Sequence, residues 1–131
     1  MRLPIFDDLG IGSIEYDHIL ISFLPDRDKQ GKKFSNKVWE TRALKLQAEL
    51  FRGATSYPQT ITSRGSYKTS EGKILIEETK AILSYVKEEE LTPEALKSFS
   101  DFLKDFGKKT KQETVAFALD DQMHYIDIES K

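Results

Sequence analysis

The residues of this sequence that could carry out acid–base chemistry are glutamates and tyrosines on its predicted strands. Glu77 and Glu78 stand near the start of a long predicted strand, directly after a predicted hairpin. Neighbouring strand residues point to opposite faces, so these two carboxylates cannot act together on one side of a sheet. One of them could instead face a cleft with a tyrosine or an arginine across the hairpin. The candidates for catalysis are therefore Tyr67, Glu77, Glu78, Tyr85 and Glu113, with Arg64 as a candidate for binding.

The same carboxylates have a simpler structural explanation. A glutamate at the end of a strand is usually solvated or paired with a nearby Arg or Lys, because a buried acid needs a partner. Glu113 follows Lys108, Lys109 and Lys111 at the predicted end of a helix, where the helix dipole favours cations. Glu113 can therefore be the counter-ion of these lysines, and we favour the structural explanation for all three glutamates.

His18 and His124 are the two histidines of the chain. His18 opens the first predicted strand, and the strand that stops near Asp120 and Asp121 is expected to lie antiparallel beside it. His18 with Asp120 or Asp121, joined by His124 from the last hairpin, would make a metal site with N and O ligands or an acid–base pair. The spacing is not that of a metal motif, so we predict no metal and no cofactor. His18, Asp120 and His124 are kept as binding candidates.

Two basic loops could bind phosphate or nucleic acid. The first contains Arg27, Lys29, Lys32 and Lys33, and the second is Lys108–Lys111. The predicted strands lack the aromatic pattern with which RNA-binding sheets stack bases. Lysines with acids nearby are usually only solvated, so nucleic acid is not an expected partner.

The composition excludes several classes of function. The 131-residue chain has no cysteine, which rules out disulfides, thiolate zinc sites and a cysteine nucleophile. Its 20 basic and 22 acidic residues give a formal charge of -2, which offers no general attraction for polyanions or anionic membranes. Glycine-rich phosphate loops, G-x-S-x-G and H-E-x-x-H are absent from the sequence. No apolar run has the length of a signal or a membrane span, so we expect a cytoplasmic protein without a membrane partner.

The apolar spacing predicts two helices and five strands. The first helix runs from a cap at Ser35 to about Phe51, with Gly53 as its stop. The second helix begins at a Thr92 cap and ends at Gly107. Apolar and β-branched runs predict strands over residues 18–24, 61–68, 74–86, 113–119 and 123–128.

The order of these elements predicts the fold class. Without the final strand it is β-α-β-β-α-β, which an antiparallel sheet with both helices on one face satisfies most simply. We therefore predict an α+β, ferredoxin-like βαββαβ domain with strand order 4-1-3-2, to which a C-terminal hairpin strand can add. Residues 1–15 are predicted to be an N-terminal lead-in, and residues 16–131 a single α+β domain.

Four short stretches resemble a group of known domains. They are the helix end Glu49–Thr55, the hairpin Gly65–Lys68 with Gly72–Ile74, the strand start Glu77–Thr79, and Lys111–Val115. In these stretches the chain resembles the small prokaryotic ferredoxin-like domains, which are largely without an assigned function. The resemblance covers most of residues 17–126, and it implies the fold but no activity.

The predicted sheet has one face without a covering element. Strands 18–24 and 74–86 carry apolar residues on both sides, whereas the two helices cover only one side. We expect a second copy of the chain to cover the other face in a homodimer, with residues 1–15 as the alternative cover.

The function predicted from these features is that of a dimeric module without its own catalysis, which binds a partner or a small-molecule ligand. The first alternative is a small-molecule enzyme that uses tyrosine and glutamate groups in a cleft on the sheet face. The second alternative is nucleic-acid binding through the basic loops.

Overall fold

The structure is a computed structural model that describes residues 8–10, 18–57, 64–68 and 70–128. Within these residues the chain forms six strands, two α-helices and one short 3-10 helix. In chain order they are β1 (His18–Pro25), α1 (Lys37–Phe51), β2 (Thr55–Tyr57), β3 (Arg64–Lys68), β4 (Ile74–Val86), the 3-10 helix (Glu88–Glu90), α2 (Pro93–Lys109), β5 (Thr114–Leu119) and β6 (Gln122–Asp127).

The strands form one antiparallel sheet in the order β2-β4-β1-β5-β6. Strand β3 pairs with the first part of β4, and β2 pairs with its second part. Strands β2 and β3 together take the place of the single edge strand that the sequence predicts. The α+β fold class is confirmed, and β6 is the predicted extra hairpin strand. The strand order is consistent with a ferredoxin-like or related fold.

Both helices pack on the same face of the sheet, which we call the helix face. The side chain of Gln47 on α1 bonds to β1 and β4, and Phe99 on α2 packs edge-on against Phe117 of β5 at a centroid distance of 5.4 Å. Full burial of each large apolar side chain contributes about 1.5–3 kcal/mol to stability. The apolar side chains larger than alanine that have no exposed surface in this core are Leu20, Leu24, Phe51, Ile82, Val86, Leu103 and Phe106.

The start of α1 differs from the prediction. The residue before the helix is Asn36, and its side-chain amide donates to the carbonyl of Leu24 at 2.7 Å instead of capping the helix. The predicted cap, Ser35, accepts only a long hydrogen bond of 3.4 Å from the backbone N–H of Lys37. A tertiary contact therefore fixes this helix start.

The start of α2 is as predicted, but its end is not. Thr92 Oγ1 accepts a hydrogen bond from the backbone N–H of Ala95 at 3.1 Å. The helix continues past Gly107 to Lys109. A Cβ at Gly107 would lie 2.8 Å from Val115 Cγ2 and 2.5 Å from Ile128 Cδ1. This glycine serves close packing against β5 and does not end the helix.

The other face of the sheet, which we call the open face, is largely apolar in its described side chains. Large side chains on it are partly exposed, including Tyr85 (56%), Tyr125 (63%) and Met123 (49%). Asp127 is the one charged residue among its described side chains in the six strands. Its side chains with a described environment are Ile19, Ile21, Phe23, Thr55, Tyr57, Thr79, Ala81, Leu83, Tyr85, Thr114, Ala116, Ala118, Met123, Tyr125 and Asp127. No helix in the described ranges is long and apolar enough to cross a membrane.

Candidate functional site

A pocket of about 370 Å³ lies where α1 ends and β2 begins, and we call it the α1–β2 pocket. Arg52 adopts the left-handed conformation with φ of 74°, which turns the chain out of α1 into the edge strand. Thr55 of β2 then pairs with Leu83 of β4. The pocket is lined by Phe51, Arg52, Gly53, Ala54, Thr55, Leu83 and Tyr85.

The side chains of the α1–β2 pocket suit a flat ligand that carries an anionic group. Tyr85 offers an aromatic ring with a hydroxyl group, and Leu83 offers an apolar wall. The guanidinium of Arg52 can bind a carboxylate through two parallel hydrogen bonds. Its Nε lies 3.5 Å from Glu90 Oε2, which keeps the guanidinium near the pocket while the side chain remains 70% exposed.

The hairpin of β3 and β4 holds most of the glutamates that the sequence singles out. Arg64 stands opposite Glu78 in the register. Glu113 binds the tip of the hairpin, since its carboxylate accepts hydrogen bonds from the backbone N–H of Ser70 at 3.2 Å and from the Ser70 hydroxyl at 3.1 Å. Its predicted role as counter-ion to Lys108, Lys109 and Lys111, the lysines that precede it in the chain, stays a prediction. The side chains of Arg64, Tyr67 and Glu77 lie outside the described part of the structure.

Tyr85 is far from the other candidates for catalysis. It stands seven residues along β4 from Glu78, which corresponds to about 23 Å at the usual rise of a strand. It therefore belongs to the α1–β2 pocket and cannot share a cleft with Glu78 or with Glu113. The structure thus separates Tyr85, in the α1–β2 pocket, from Glu78 and Glu113, which lie near the other end of the sheet.

His18 lies between two carboxylates at the start of β1. Its Nδ1 is 2.7 Å from Asp120 Oδ2, and its Nε2 is 3.0 Å from Glu88 Oε2. Asp120 also accepts a hydrogen bond from the backbone N–H of Ile19 at 2.9 Å. The sequence analysis paired His18 with Asp120 but missed Glu88. It also placed His124 near His18, whereas the ring of His124 stacks on that of Phe117 at a centroid distance of 5.0 Å.

The protonation of His18 follows from this geometry. Hydrogen bonding to Asp120 is the largest influence and raises the pKa of His18 above 6.5, and Glu88 acts in the same direction. The same contact lowers the pKa of Asp120. Both ring nitrogens face acceptors, so the imidazole must be protonated to donate to both. The two nitrogens point in different directions, and the described residues contain no group of three metal-ligating side chains. His18 therefore joins β1 to the β5–β6 turn through Asp120 and to the 3-10 helix through Glu88. We call these three side chains the clamp.

Sequence analysis missed a half-buried polar cluster between α1 and the sheet. Lys80 Nζ lies 2.8 Å from Glu40 Oε1, and the Ser56 hydroxyl donates to Glu40 Oε2 at 2.5 Å. Burial alone would raise the pKa of Glu40, but the bonds from Lys80 and Ser56 outweigh it and hold that pKa below 4.5. The signal in the sequence was Lys80, which shares a face of β4 with the buried Ile82.

Comparison with known proteins gives a likeness in structure alone. No family model matches the chain, and no curated protein matches it. The structure of a phage SAM lyase in complex with S-methyl-5'-thioadenosine has a TM-score of 0.64 at 15% identity, over 87% of this chain and 92% of that one. The apo state of a phage SAM lyase has a TM-score of 0.54 at 18% identity, over 92% and 99%. The resemblance to prokaryotic ferredoxin-like domains stays a prediction.

The predicted function of a module without its own catalysis is wrong. Two solved structures that share this fold over most of their length are those of a phage SAM lyase, which is an enzyme. The first alternative of the sequence analysis, a small-molecule enzyme, remains a proposal. That prediction of a module rested on the apolar residues on both faces of the strands and on the missing catalytic motifs. Neither excludes a reaction that needs no protein nucleophile, base or metal.

Proposed function

We propose that this protein is a small-molecule enzyme that binds S-adenosylmethionine, or a closely related sulfonium compound, and cleaves it to an adenosyl thioether. The observation that carries this proposal is the shared fold with a lyase that holds S-methyl-5'-thioadenosine, at a TM-score of 0.64 over most of both chains. Fold alone does not fix a reaction, so the α1–β2 pocket must also suit the substrate.

The α1–β2 pocket has a partner for each part of such a substrate. The ring of Tyr85 can stack on adenine or face the positively charged sulfur. Arg52 can hold the carboxylate of the amino-acid part. The backbone N–H and C=O groups of the loop that leads into β2 can bind the polar edge of the base. The volume of about 370 Å³ falls within the range of small-molecule sites.

The proposed reaction needs little from the protein. Cleavage breaks the bond between sulfur and the γ-carbon of the amino-acid chain, and its electron pair stays on sulfur, which becomes a neutral thioether. The γ-carbon takes an oxygen of the substrate's own carboxylate, which gives a lactone without added water. No described residue that lines the α1–β2 pocket is an acid or a histidine. The protein would accelerate the ring closure by holding the carboxylate in line, which is the role we assign to Arg52.

The test is to incubate the protein with S-adenosylmethionine and identify the products by mass spectrometry. We expect S-methyl-5'-thioadenosine together with homoserine lactone. Replacing Tyr85 by alanine should weaken the binding of S-methyl-5'-thioadenosine by about fivefold or more, since stacking of a base on an aromatic ring contributes about 1–3 kcal/mol. Tyr125→Ala is the matched control, because Tyr125 is also exposed on the open face but does not line the pocket. If the protein neither turns over S-adenosylmethionine nor binds S-methyl-5'-thioadenosine, the proposal is wrong.

We also propose that a second copy of the chain covers the open face. Five strands about 4.8 Å apart make this face about 24 Å wide, and its flat area on the order of 500 Å² approaches the roughly 600 Å² per partner of the smallest specific interfaces. The described side chains of this face carry one charge, that of Asp127, which gives little repulsion between two copies. Native mass spectrometry should find a dimer that Tyr125→Lys converts to a monomer. A wild-type monomer would leave residues 1–15, which lie largely outside the described residues, as the alternative cover.

A further inference from the structure

We propose that the two basic loops together form one surface that binds the phosphate backbone of a nucleic-acid strand. The structure brings the loops side by side around a pocket of about 320 Å³. Four lysines line this pocket, with Asp28, Phe34, Ser35, Trp39 and Thr110 as the other described lining residues. We call the following residues the basic surface: Lys29, Lys32, Lys33, Lys108, Lys109 and Lys111.

Two hydrogen bonds hold the loops together although they lie about 80 residues apart in the chain. The backbone N–H of Lys29 donates to the carbonyl of Lys111 at 3.0 Å. The side-chain amide of Gln112, which is almost fully buried, donates to the carbonyl of Arg27 at 2.9 Å. The lysines of one loop therefore have a fixed position relative to those of the other.

The first loop is also braced internally. Asp28 Oδ1 accepts hydrogen bonds from the backbone N–H groups of Gln30 and Lys32, both at 2.9 Å. The backbone N–H of Asp28 in turn donates to the carbonyl of Lys32 at 2.9 Å. The carboxylate of Asp28, the one acid among the described lining residues, is thus engaged with the backbone. A rigid loop loses little conformational entropy when its lysines bind a ligand.

The charge of the basic surface exceeds what the fold requires. Lys108 and Lys109 end α2, where cations complement the helix dipole, and Lys109 Nζ lies 3.2 Å from Asp105. The other four lysines have no such explanation. Within the described part of the chain, no ion pair involves Lys29, Lys32, Lys33 or Lys111. Four unpaired cations on a rigid support, in a chain of net charge -2, mark a surface for an anionic ligand.

The arrangement fits a strand of several phosphates better than one phosphate group. Lysine acts as a point charge that contacts phosphate without reading sequence, and these lysines spread over two loops. Trp39 and Phe34 supply half-buried aromatic surface in the pocket, on which a base can rest. The missing aromatic pattern argued against nucleic-acid binding by the sheet, and it does not bear on the basic surface.

The test measures binding of a fluorescently labelled single-stranded DNA oligonucleotide by anisotropy at several salt concentrations. Contacts to about four phosphates predict a slope of about -2.8 in log K against log salt, which is an affinity loss of about 50-fold between about 50 mM and about 200 mM salt. Lys32→Gln, Lys33→Gln and Lys111→Gln are introduced one after another. Each should flatten the slope by about 0.7. The single and double variants give slopes of their own, so the test can be read even if the triple variant does not fold.

The control is a second triple variant that removes the same charge from exposed lysines on the outer surfaces of the helices, Lys45→Gln, Lys97→Gln and Lys104→Gln. It should keep the slope of the wild type. Equal losses in both series, or no binding of the oligonucleotide at low salt, would overturn the proposal. Inorganic pyrophosphate is added as a competitor. If it displaces the strand at equal phosphate concentration, the site belongs to a small phosphate ligand, and the proposal of a strand is overturned.

Discussion

The two faces of the sheet are built from the same strands but differ in nearly every physical property. On the helix face, Leu20, Ser22 and Leu24 of β1 have no exposed surface, whereas Ile19 beside them on the open face is 37% exposed. The helix face is closed by two helices, and every buried side-chain N or O atom described on it has a hydrogen-bond partner. The open face carries exposed tyrosines, and its residues Leu83 and Tyr85 line the α1–β2 pocket.

This difference separates stability from function within one sheet. Burial on the helix face supplies the free energy that folds the chain, and the open face uses that rigid support to present side chains to a ligand or a partner. Substitutions on the two faces should therefore fail in different ways. Those on the helix face should lower stability, and those on the open face should alter binding while the fold remains.

The largest expected effect comes from neighbouring residues of β1. Leu20→Ala should lower the free energy of unfolding by about 2–5 kcal/mol, because it removes apolar contacts and leaves a cavity in a closed core. Ile19→Ala should cost less than about 1 kcal/mol in the monomer, since that side chain is already partly in water. Urea denaturation at low protein concentration measures both. Equal losses would contradict the division into a stability face and a functional face.

A smaller effect is expected from the buried polar network. Gln47 accepts a hydrogen bond from Ser22 at 2.5 Å and donates to Ser84 at 3.0 Å. Gln47→Leu should cost about 1–3 kcal/mol, because it leaves two buried hydroxyls without their partner. Adding Ser22→Ala and Ser84→Ala should recover part of that loss, since removing a polar group together with its partner can be nearly neutral. The carbonyl of Ile82, which accepts from Gln47 Nε2 at 3.1 Å, stays in place. A triple variant as unstable as the single one would show that the loss comes from packing instead.

The sequence predicted the elements whose signals are local. The Thr92–Pro93 start of α2 and the alternation of Leu20 with Ile19 depend on neighbouring residues alone, and both are present. The start of α1 was misplaced because the side chain of Asn36 bonds to Leu24 of another element. Strand β2 was missed because three residues carry too little periodicity to stand out in a sequence.

The candidate sites show the same limit. His18 and Asp120 could be paired from sequence because antiparallel neighbours bring the two strand ends together. Glu88 could not be added, since its position depends on a 3-10 helix whose course is set by the whole fold. Of the α1–β2 pocket, only Tyr85 was named, because the pocket is shaped largely by the backbone that leaves α1. The role of each predicted site residue stays a prediction.

The smallest expected effect is a pH dependence of stability at the edge between the faces. The pKa of His18 is raised by Asp120 and by Glu88, so its stabilising contribution is complete below pH 6.5 and is lost as the pH rises through the raised pKa. The lowered pKa of Asp120 has the opposite sign, with a contribution that is present above 3.8 and lost as the pH falls through the lowered value. The clamp should therefore stabilise the fold most between pH 3.8 and pH 6.5.

Thermal melting at about pH 5.5 and at about pH 8.5 measures this effect. The wild type should melt at a lower temperature at the higher pH, by a small amount because the three side chains are partly exposed. His18→Gln should lose most of this difference, because glutamine stays neutral across the range. His124→Gln is the matched control and should keep it, since His124 stacks on Phe117 and is not part of the clamp. If His124→Gln removes the pH dependence and His18→Gln does not, the clamp is not the source of the pH dependence. The contact between β1, the 3-10 helix and the β5–β6 turn would then contribute to stability through packing alone.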